Sequence, residues 1–187
     1  NTWEHIHEIP STELWEAHRR RKRRLIAFIR ERAAQAALAR NAPASDVERA
    51  REVLDPEVFT IGFARRFATY KRADLIFRDV ERLRALMTNS TRPVQIVFAG
   101  KAHPADGPGK QVLQTVYQFT RDPRFEGRIA FVEDYGMHLA HLLVQGVDVW
   151  MNLPRVPLEA SGTSGMKAAL NGVPHLSTMD GWWEEGY

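Results

Sequence analysis

Glu159-Ala160-Ser161-Gly162-Thr163-Ser164-Gly165-Met166-Lys167 leads straight into Ala168-Ala169-Leu170-Asn171-Gly172-Val173. The first part is small, polar and glycine-rich; the second is apolar and helix-forming. This predicts a loop running into a helix N-terminus, where unpaired backbone N–H groups and the helix dipole favour an anion. Thr163 and Ser164 add hydroxyl donors. Lys167 falls about one turn inside the helix, so its stem can reach back over the same pocket. A phosphate cradle with an amine beside it suits pyridoxal phosphate: the amine forms a Schiff base and the cradle holds the phosphate. The plain alternative is an ordinary glycine-rich strand-to-helix turn with a solvated lysine.

Outward from this stretch, short apolar runs alternate with helical patterns. Val58–Ala64, Val94–Ala99, Ile129–Val132 and Val147–Leu153 are the runs, and His175–Ser177 begins a fifth. Between them, Gly109–Phe119, Met137–Val144 and Gly165–Asn171 read as helices. Lys71–Met87 reads as one amphipathic segment, with Leu75, Ile76, Val80, Leu83 and Leu86 on one side. That rhythm predicts an α/β fold with a buried parallel sheet over residues 58–187.

Residues 1–57 read as a helical leader packing on that domain. Residues 11–40 form one long helix with Ser11 as N-cap and an apolar stripe of Leu14, Trp15, His18, Leu25, Phe28, Ile29, Ala33 and Ala36. Arg19–Arg24 is an unbroken basic run. A helix spreads six consecutive residues around its axis, so the run makes no single nucleic-acid face. After Asn41-Ala42-Pro43-Ala44, Ser45 and Glu48 predict a capping box for a short second helix.

Composition narrows the class. The chain has 187 residues, 44% hydrophobic and 26% charged, as ordinary globular proteins do. It has no Cys, which excludes disulfides and thiolate catalysis, and no metal site is expected. No apolar run reaches the length of a membrane span and no signal-peptide pattern opens the chain, so a cytoplasmic setting is expected. A net charge of +3 is too small to imply nucleic acid. Asn1 opens the chain, and the aromatic Gly181-Trp182-Trp183-Glu184-Glu185-Gly186-Tyr187 closes it. The expectation is a fragment of a longer protein.

In parallel sheets the ligand sits outside the carboxyl ends of the strands. Arg65, Arg66, Tyr70, Lys71 and Arg72 follow the first run. Gly100, Lys101, His103 and Asp106 follow the second, and Glu133, Asp134 and Tyr135 the third. Arg155 and Glu159 follow the fourth, and Asp180 the fifth. Loops are polar anyway, but that does not explain the excess of Arg and Lys after the first two runs. The convergence points to a site for two anions or one highly charged anion.

On these residues the chain resembles an α-glucan phosphorylase, over essentially all of its length. The resemblance rests on Glu159-Ala160-Ser161-Gly162-Thr163-Ser164-Gly165-Met166-Lys167 with Leu170-Asn171-Gly172 and Asp180-Gly181. It rests also on Arg65-Arg66, Tyr70-Lys71-Arg72, Gly100-Lys101-Ala102-His103-Pro104 and Glu133-Asp134-Tyr135. Phe63-Ala64-Arg65-Arg66-Phe67 is similar to the bacterial type. The animal and plant enzymes usually carry Lys in place of Arg65, and Gly-Asn in place of Ser164-Gly165.

The resemblance implies the C-terminal, Rossmann-like domain of a two-domain glycosyltransferase-B-type enzyme. It implies Lys167 as the lysine that carries pyridoxal phosphate. Thr163, Ser164, Gly162, the neighbouring amides and Arg65 are implied for the cofactor phosphate, with Tyr135 nearby. Arg66 and Lys71 are implied for the substrate phosphate, with Lys101 and His103 beside them. Glu159, Ala160, Ser161 and Gly162 are implied for glucosyl hydroxyls. The implied reaction is reversible phosphorolysis: an α-1,4-glucan end plus orthophosphate gives glucose 1-phosphate with retention. The cofactor phosphate is implied as the group that exchanges a proton with the substrate phosphate. The fragment alone is expected to be inactive, because the missing N-terminal domain supplies the other wall of the cleft; homo-oligomerisation stays open.

Two rivals stand beside this reading. A nucleotide-sugar glycosyltransferase of the same fold, such as a glycogen synthase, typically carries a second Glu eight positions after the first to bind the ribose. Eight positions after Glu159 stands Lys167, which cannot accept a hydroxyl hydrogen bond. A non-enzymatic basic binding domain is supported only by Arg19–Arg24 and the basic charge balance. The preferred glucan, oligomeric state and allosteric regulation are not legible.

Overall fold

The computed structural model describes residues 4–125 and 127–187, so the first three residues of the leader lie outside it. A five-stranded parallel sheet is built from β1 (Phe59–Ala64), β2 (Val94–Ala99), β3 (Ile129–Val132), β4 (Val149–Asn152) and β5 (His175–Ser177). Its spatial order is β3-β2-β1-β4-β5, every neighbouring pair parallel. The helices are α1 (Ser11–Ala39), α2 (Ala44–Glu52), α3 (Val80–Met87), α4 (Gly107–Thr120), α5 (Met137–Gly146), α6 (Thr163–Leu170) and α7 (Trp182–Gly186).

β1 to β4 are mostly apolar because both faces are covered, with Thr60, Gln95 and Asn152 buried among them, and alternate side chains feed two cores. Ala64, Val97, Ala99, Val132 and Trp150 join Leu25, Ile26 and Ile29 of α1 and Leu139, Leu142 and Leu143 of α5. Phe63, Ile96, Phe98, Ile129 and Met151 join Leu83 and Met87 of α3 and Val116 of α4. Gly146 lets α1 lie close against α5, since a Cβ there would stand 2.8 Å from Leu25 Cβ. Among the described residues no helix is long and apolar enough to cross a membrane.

Several local readings need correcting. Pro10 and Pro43, not Ser11 and the Ser45/Glu48 pair, hold the N-cap positions, with no side-chain cap on either helix. Proline's preset φ starts a helix without one. Leu14 and Trp15 are exposed, and the buried positions of α1 begin at Lys22. Lys71–Met87 is not one helix. It splits into short 3-10 turns at Thr69–Lys71 and Leu75–Arg78, followed by α3. The break comes at Arg72, which adopts a left-handed φ of 50° while its guanidinium donates to the carbonyls of Leu153 (2.7 Å) and Pro154 (2.9 Å). That tertiary staple overrides the helical periodicity. Asp79 then caps α3 by accepting from Arg82 N at 3.0 Å. The basic run does spread around α1: Arg19 and Arg23 reach Glu57, Arg21 reaches Gln145, and Lys22 is buried.

Candidate active site

The strand order reverses direction between β1 and β4, which is where an open parallel sheet leaves a crevice at its carboxyl edge. The chain beyond β1 keeps pairing with β2: Arg65 N donates to Ala99 O (3.2 Å) and Phe67 N to Lys101 O (2.9 Å). The Phe67 ring is fully buried, which anchors the segment and fixes Arg65 inward and Arg66 outward. From β4, Arg155 N donates to Tyr70 O at 2.8 Å. This bond and the Arg72 staple tie the two loops together across the crevice.

Glu159 sits in the middle. Its Oε2 accepts from Arg65 Nη2 at 2.6 Å and from Lys71 Nζ at 2.5 Å. The three side chains are 10%, 7% and 8% exposed respectively. The backbone N–H of Glu159 donates to Asp180 Oδ2 (2.9 Å), and Asp180 Oδ1 accepts from Gly181 N (3.0 Å). Arg65 Nε and Nη1 are buried without a partner among the described residues. Arg65 lines a cavity of about 10 Å³, the size at which a single water fits, together with Asn152, Gly162, His175, Asp180 and Trp182.

Burial pushes the Arg65 guanidinium below its ordinary value, against the raising effect of Glu159. Burial raises the Tyr135 phenol, and the charge of Arg65 draws it partly back. The His175 imidazole is brought down to about 4, by burial first and by the charge of Arg65 second, so it is neutral at pH 7.

The glycine-rich stretch forms the turn its composition predicts. Gly162 occupies the N-cap of α6 at φ 79°, a left-handed conformation that suits glycine, and no side chain caps the helix. Gly165 N donates back to Gly162 O at 3.1 Å, and the helix dipole stands behind the N–H groups of Thr163 and Ser164. Thr163 is exposed, and the Ser164 hydroxyl accepts from Trp150 Nε1 at 3.3 Å. Gly165 is required by packing: a Cβ there would lie 2.5 Å from His175 Cε1. Lys167 is exposed on the same helix. Ala160 and Ser161 are exposed beside the turn, where Ser161 O accepts from Trp182 N at 2.9 Å.

The other sequence candidates divide into two groups. Arg66 and His103 line a separate open groove of about 520 Å³ with Thr69, Tyr70 and Asp106. Lys101 lies toward the β3 end, 3.7 Å from Asp134. Tyr135 is half-buried against the α1/α5 core, in the electrostatic field of Arg65. Its loop is held from α1: Arg32 Nη2 donates to Asp134 Oδ2 at 2.9 Å and to the carbonyls of Glu133 and Asp134 at 3.3 Å, and Arg40 donates to Glu133 Oε1. Asp134 adopts φ 57°. Among the described residues no acidic or histidine cluster can hold a metal.

Sequence reasoning missed Asn152, His175 and Trp182 around Arg65. Asn152 Nδ2 donates to His175 Nε2 at 2.6 Å, and the His175 ring stacks on Trp182 with centroids 5.8 Å apart. The available signal was a polar residue ending β4 and another opening β5.

Comparison with known proteins gives a consistent picture. The family model described as "Carbohydrate phosphorylase" matches residues 12–183. The chain is 58% identical over 185 residues to a glycogen phosphorylase from Aquifex aeolicus, covering 99% of this chain and 27% of that protein. It is 51% identical over 185 residues to a maltodextrin phosphorylase from Thermococcus litoralis, covering 99% of this chain and 22% of the relative. It is 45% identical over 185 residues to a glycogen phosphorylase from Mycobacterium bovis, covering 99% and 21%. The chain thus spans about a quarter of the length of the curated relatives it matches.

Proposed function

The chain belongs to the carbohydrate phosphorylase family, and we propose that it supplies the phosphate-handling wall of an α-1,4-glucan phosphorylase. The proposed reaction is reversible. The terminal glycosidic C–O bond of the glucan breaks, and an orthophosphate oxygen bonds the anomeric carbon with retention. The departing glucan oxygen takes a proton, and glucose 1-phosphate leaves. The observation that carries this reading is the buried Arg65–Glu159–Lys71 cluster beside the uncapped N-terminus of α6, at the reversal point of the sheet.

The residues present fit pyridoxal phosphate. Arg65 has two donors without a partner among the described residues, Nε and Nη1, α6 opens without a cap, and Lys167 offers an amine on the same helix. Arg65, Thr163, Ser164 and the amides after Gly162 hold its phosphate in this reading, Lys167 holds its ring, and Tyr135 stands beside it. When bound, the cofactor supplies a phosphate that exchanges a proton with the substrate phosphate. Arg66 and Lys71 bind orthophosphate, with Lys101 and His103 at the rim, and offset the charge that develops as the glycosidic bond breaks. Glu159 and the backbone at Ala160, Ser161 and Gly162 orient the glucosyl hydroxyls. We take the glucan groove to lie outside this chain, which makes the chain alone inactive.

The test is borohydride reduction of the cofactor-loaded intact protein followed by peptide mapping. The phosphopyridoxyl group is expected on Lys167. Label on Lys101 or Lys71, with Lys167 unmodified, overturns the assignment.

A further inference from the structure

Glu159 stands where an anion is expected. One of its oxygens bridges Arg65 and Lys71, the two cations of this edge that are almost wholly buried. One carboxylate oxygen between two buried cations does the electrostatic work of a phosphate oxygen. The cavity beside it, at about 10 Å³, has no room for phosphate while Glu159 is in place. The surroundings show which part is free to move. The main chain at Glu159 is pinned, because its N–H donates to Asp180. Asp180 is itself satisfied by the amides of Glu159 and Gly181, so it does not compete for the cations. A change of rotamer at Glu159 therefore needs no movement of the main chain.

Resting on the proposed function above, we propose that Glu159 is an exchangeable counter-ion that couples anion binding to sugar binding. With no ligand it neutralises Arg65 and Lys71. A phosphate on those cations repels the carboxylate at contact range and takes its partners. The displaced carboxylate, still largely buried, then needs donors, because an unpaired buried charge is costly. Sugar hydroxyls are donors of the right kind, and the pinned backbone at 159 keeps the carboxylate facing the crevice. Phosphate alone must bear the cost of an orphaned Glu159; phosphate with sugar does not. The two ligands therefore tighten one another, and by linkage the effect is equal in both directions. In the loaded protein the cofactor phosphate is assigned to Arg65, so Glu159 leans on Lys71, the cation orthophosphate must take.

The experiment is calorimetric titration of the cofactor-loaded intact protein with orthophosphate, with and without saturating glucose and in the absence of glucan. In the wild type, glucose is expected to tighten orthophosphate by about fivefold or more, in the range of ordinary couplings. In Glu159→Gln, orthophosphate is expected to bind at least about tenfold tighter without sugar, equivalent to about 1.4 kcal/mol, and glucose is expected to have no further effect. The amide keeps the size of the side chain but neither neutralises the cations nor repels phosphate. Orthophosphate binding in the wild type that ignores glucose overturns the coupling, and so does coupling that survives in Glu159→Gln. The wild-type titration decides the matter even where the variant does not fold. Absence of orthophosphate binding from both proteins, with or without glucose, instead overturns the proposed function on which this rests.

Discussion

Asp148 at the amino edge of the sheet and Glu159 at its carboxyl edge are both largely enclosed carboxylates, and the two are treated differently. At the amino edge, just before β4, Asp148 accepts from His18 Nε2 (2.7 Å), Lys22 Nζ (2.6 Å) and Thr60 N (2.6 Å). One buried cation meets one buried carboxylate there, and the group ties α1 to β1 and β4. Burial pushes the Asp148 carboxyl up, but the His18, Lys22 and Thr60 bonds outweigh it and hold it below the usual range. At the carboxyl edge, one Glu159 oxygen serves two buried cations, and two donors of Arg65 have no partner among the described residues. A group built for the fold closes its hydrogen bonds, whereas a group built for a ligand leaves some open.

The largest expected effect breaks the amino-edge group. Asp148→Ala leaves Lys22 buried without a counter-charge and Thr60 N without an acceptor, so we expect a loss of about 3–5 kcal/mol of stability. Denaturant unfolding of the intact protein measures it. A loss below about 1 kcal/mol would mean that Lys22 escapes to solvent and that the two edges do not differ in kind.

Next comes Arg66→Ala at the opposite edge. Arg66 is exposed and lines the open groove, so its removal leaves no core cavity. We expect normal folding and a fall in phosphorolysis on the order of 10²-fold, or about 2.7 kcal/mol of transition-state stabilisation. Steady-state rates with orthophosphate and maltodextrin, alongside a melting curve, check both halves. Normal rates refute the assignment, and so does failure to fold.

A smaller effect distinguishes the edges by pH. The native His175 pKa lies at about 4, below the ordinary 6.5, so the unfolded chain takes up a proton that the folded one refuses. Stability is full above pH 6.5, falls as pH drops from there toward about 4, and loses nothing further from this group below it. The ring is only half-buried, so after allowance for solvent screening we expect a loss on the order of 1 kcal/mol. Unfolding curves between pH 7 and 4 measure it, and His175→Gln is expected to flatten the slope across that window. An unchanged slope in the variant places the titration elsewhere.

What the sequence made legible follows from range. Val94–Ala99 and Ile129–Val132 are strands at the bounds expected, because a strand buried on both faces shows in its own residues; the fifth run, begun at His175–Ser177, extends no further than those three residues. The loop-to-helix turn at Gly162 was readable for the same reason. Its pairing partners were not. Glu159 meets Arg65 across 94 positions and Asp148 meets Lys22 across 126, and no local pattern encodes either contact. Lys22 shows the cost: within Arg19–Arg24 it looks like its neighbours, yet it alone is buried. The break at Arg72 was hidden likewise, because it is set by carbonyls beyond β4.

The smallest expected effect tests whether the leader touches the carboxyl edge at all. Arg32 on α1 reaches the loop after β3 with three contacts from one nitrogen, two of them to backbone carbonyls. That loop holds Asp134 in the left-handed region, which is unfavourable for a residue with a Cβ, and ends at Tyr135. Because the pair is substantially exposed, Arg32→Ala should cost no more than about 1 kcal/mol of global stability. The effect should instead be local. Amide hydrogen exchange is expected to speed up at Glu133–Gly136 and to stay unchanged at β1 and β4, where Asp148 secures the amino edge. Asp134→Gly in the Arg32→Ala background removes the backbone penalty and is expected to restore protection. If exchange in the loop is indifferent to Arg32, the order at Tyr135 comes from its packing on the α1/α5 core. The leader would then serve the amino edge alone.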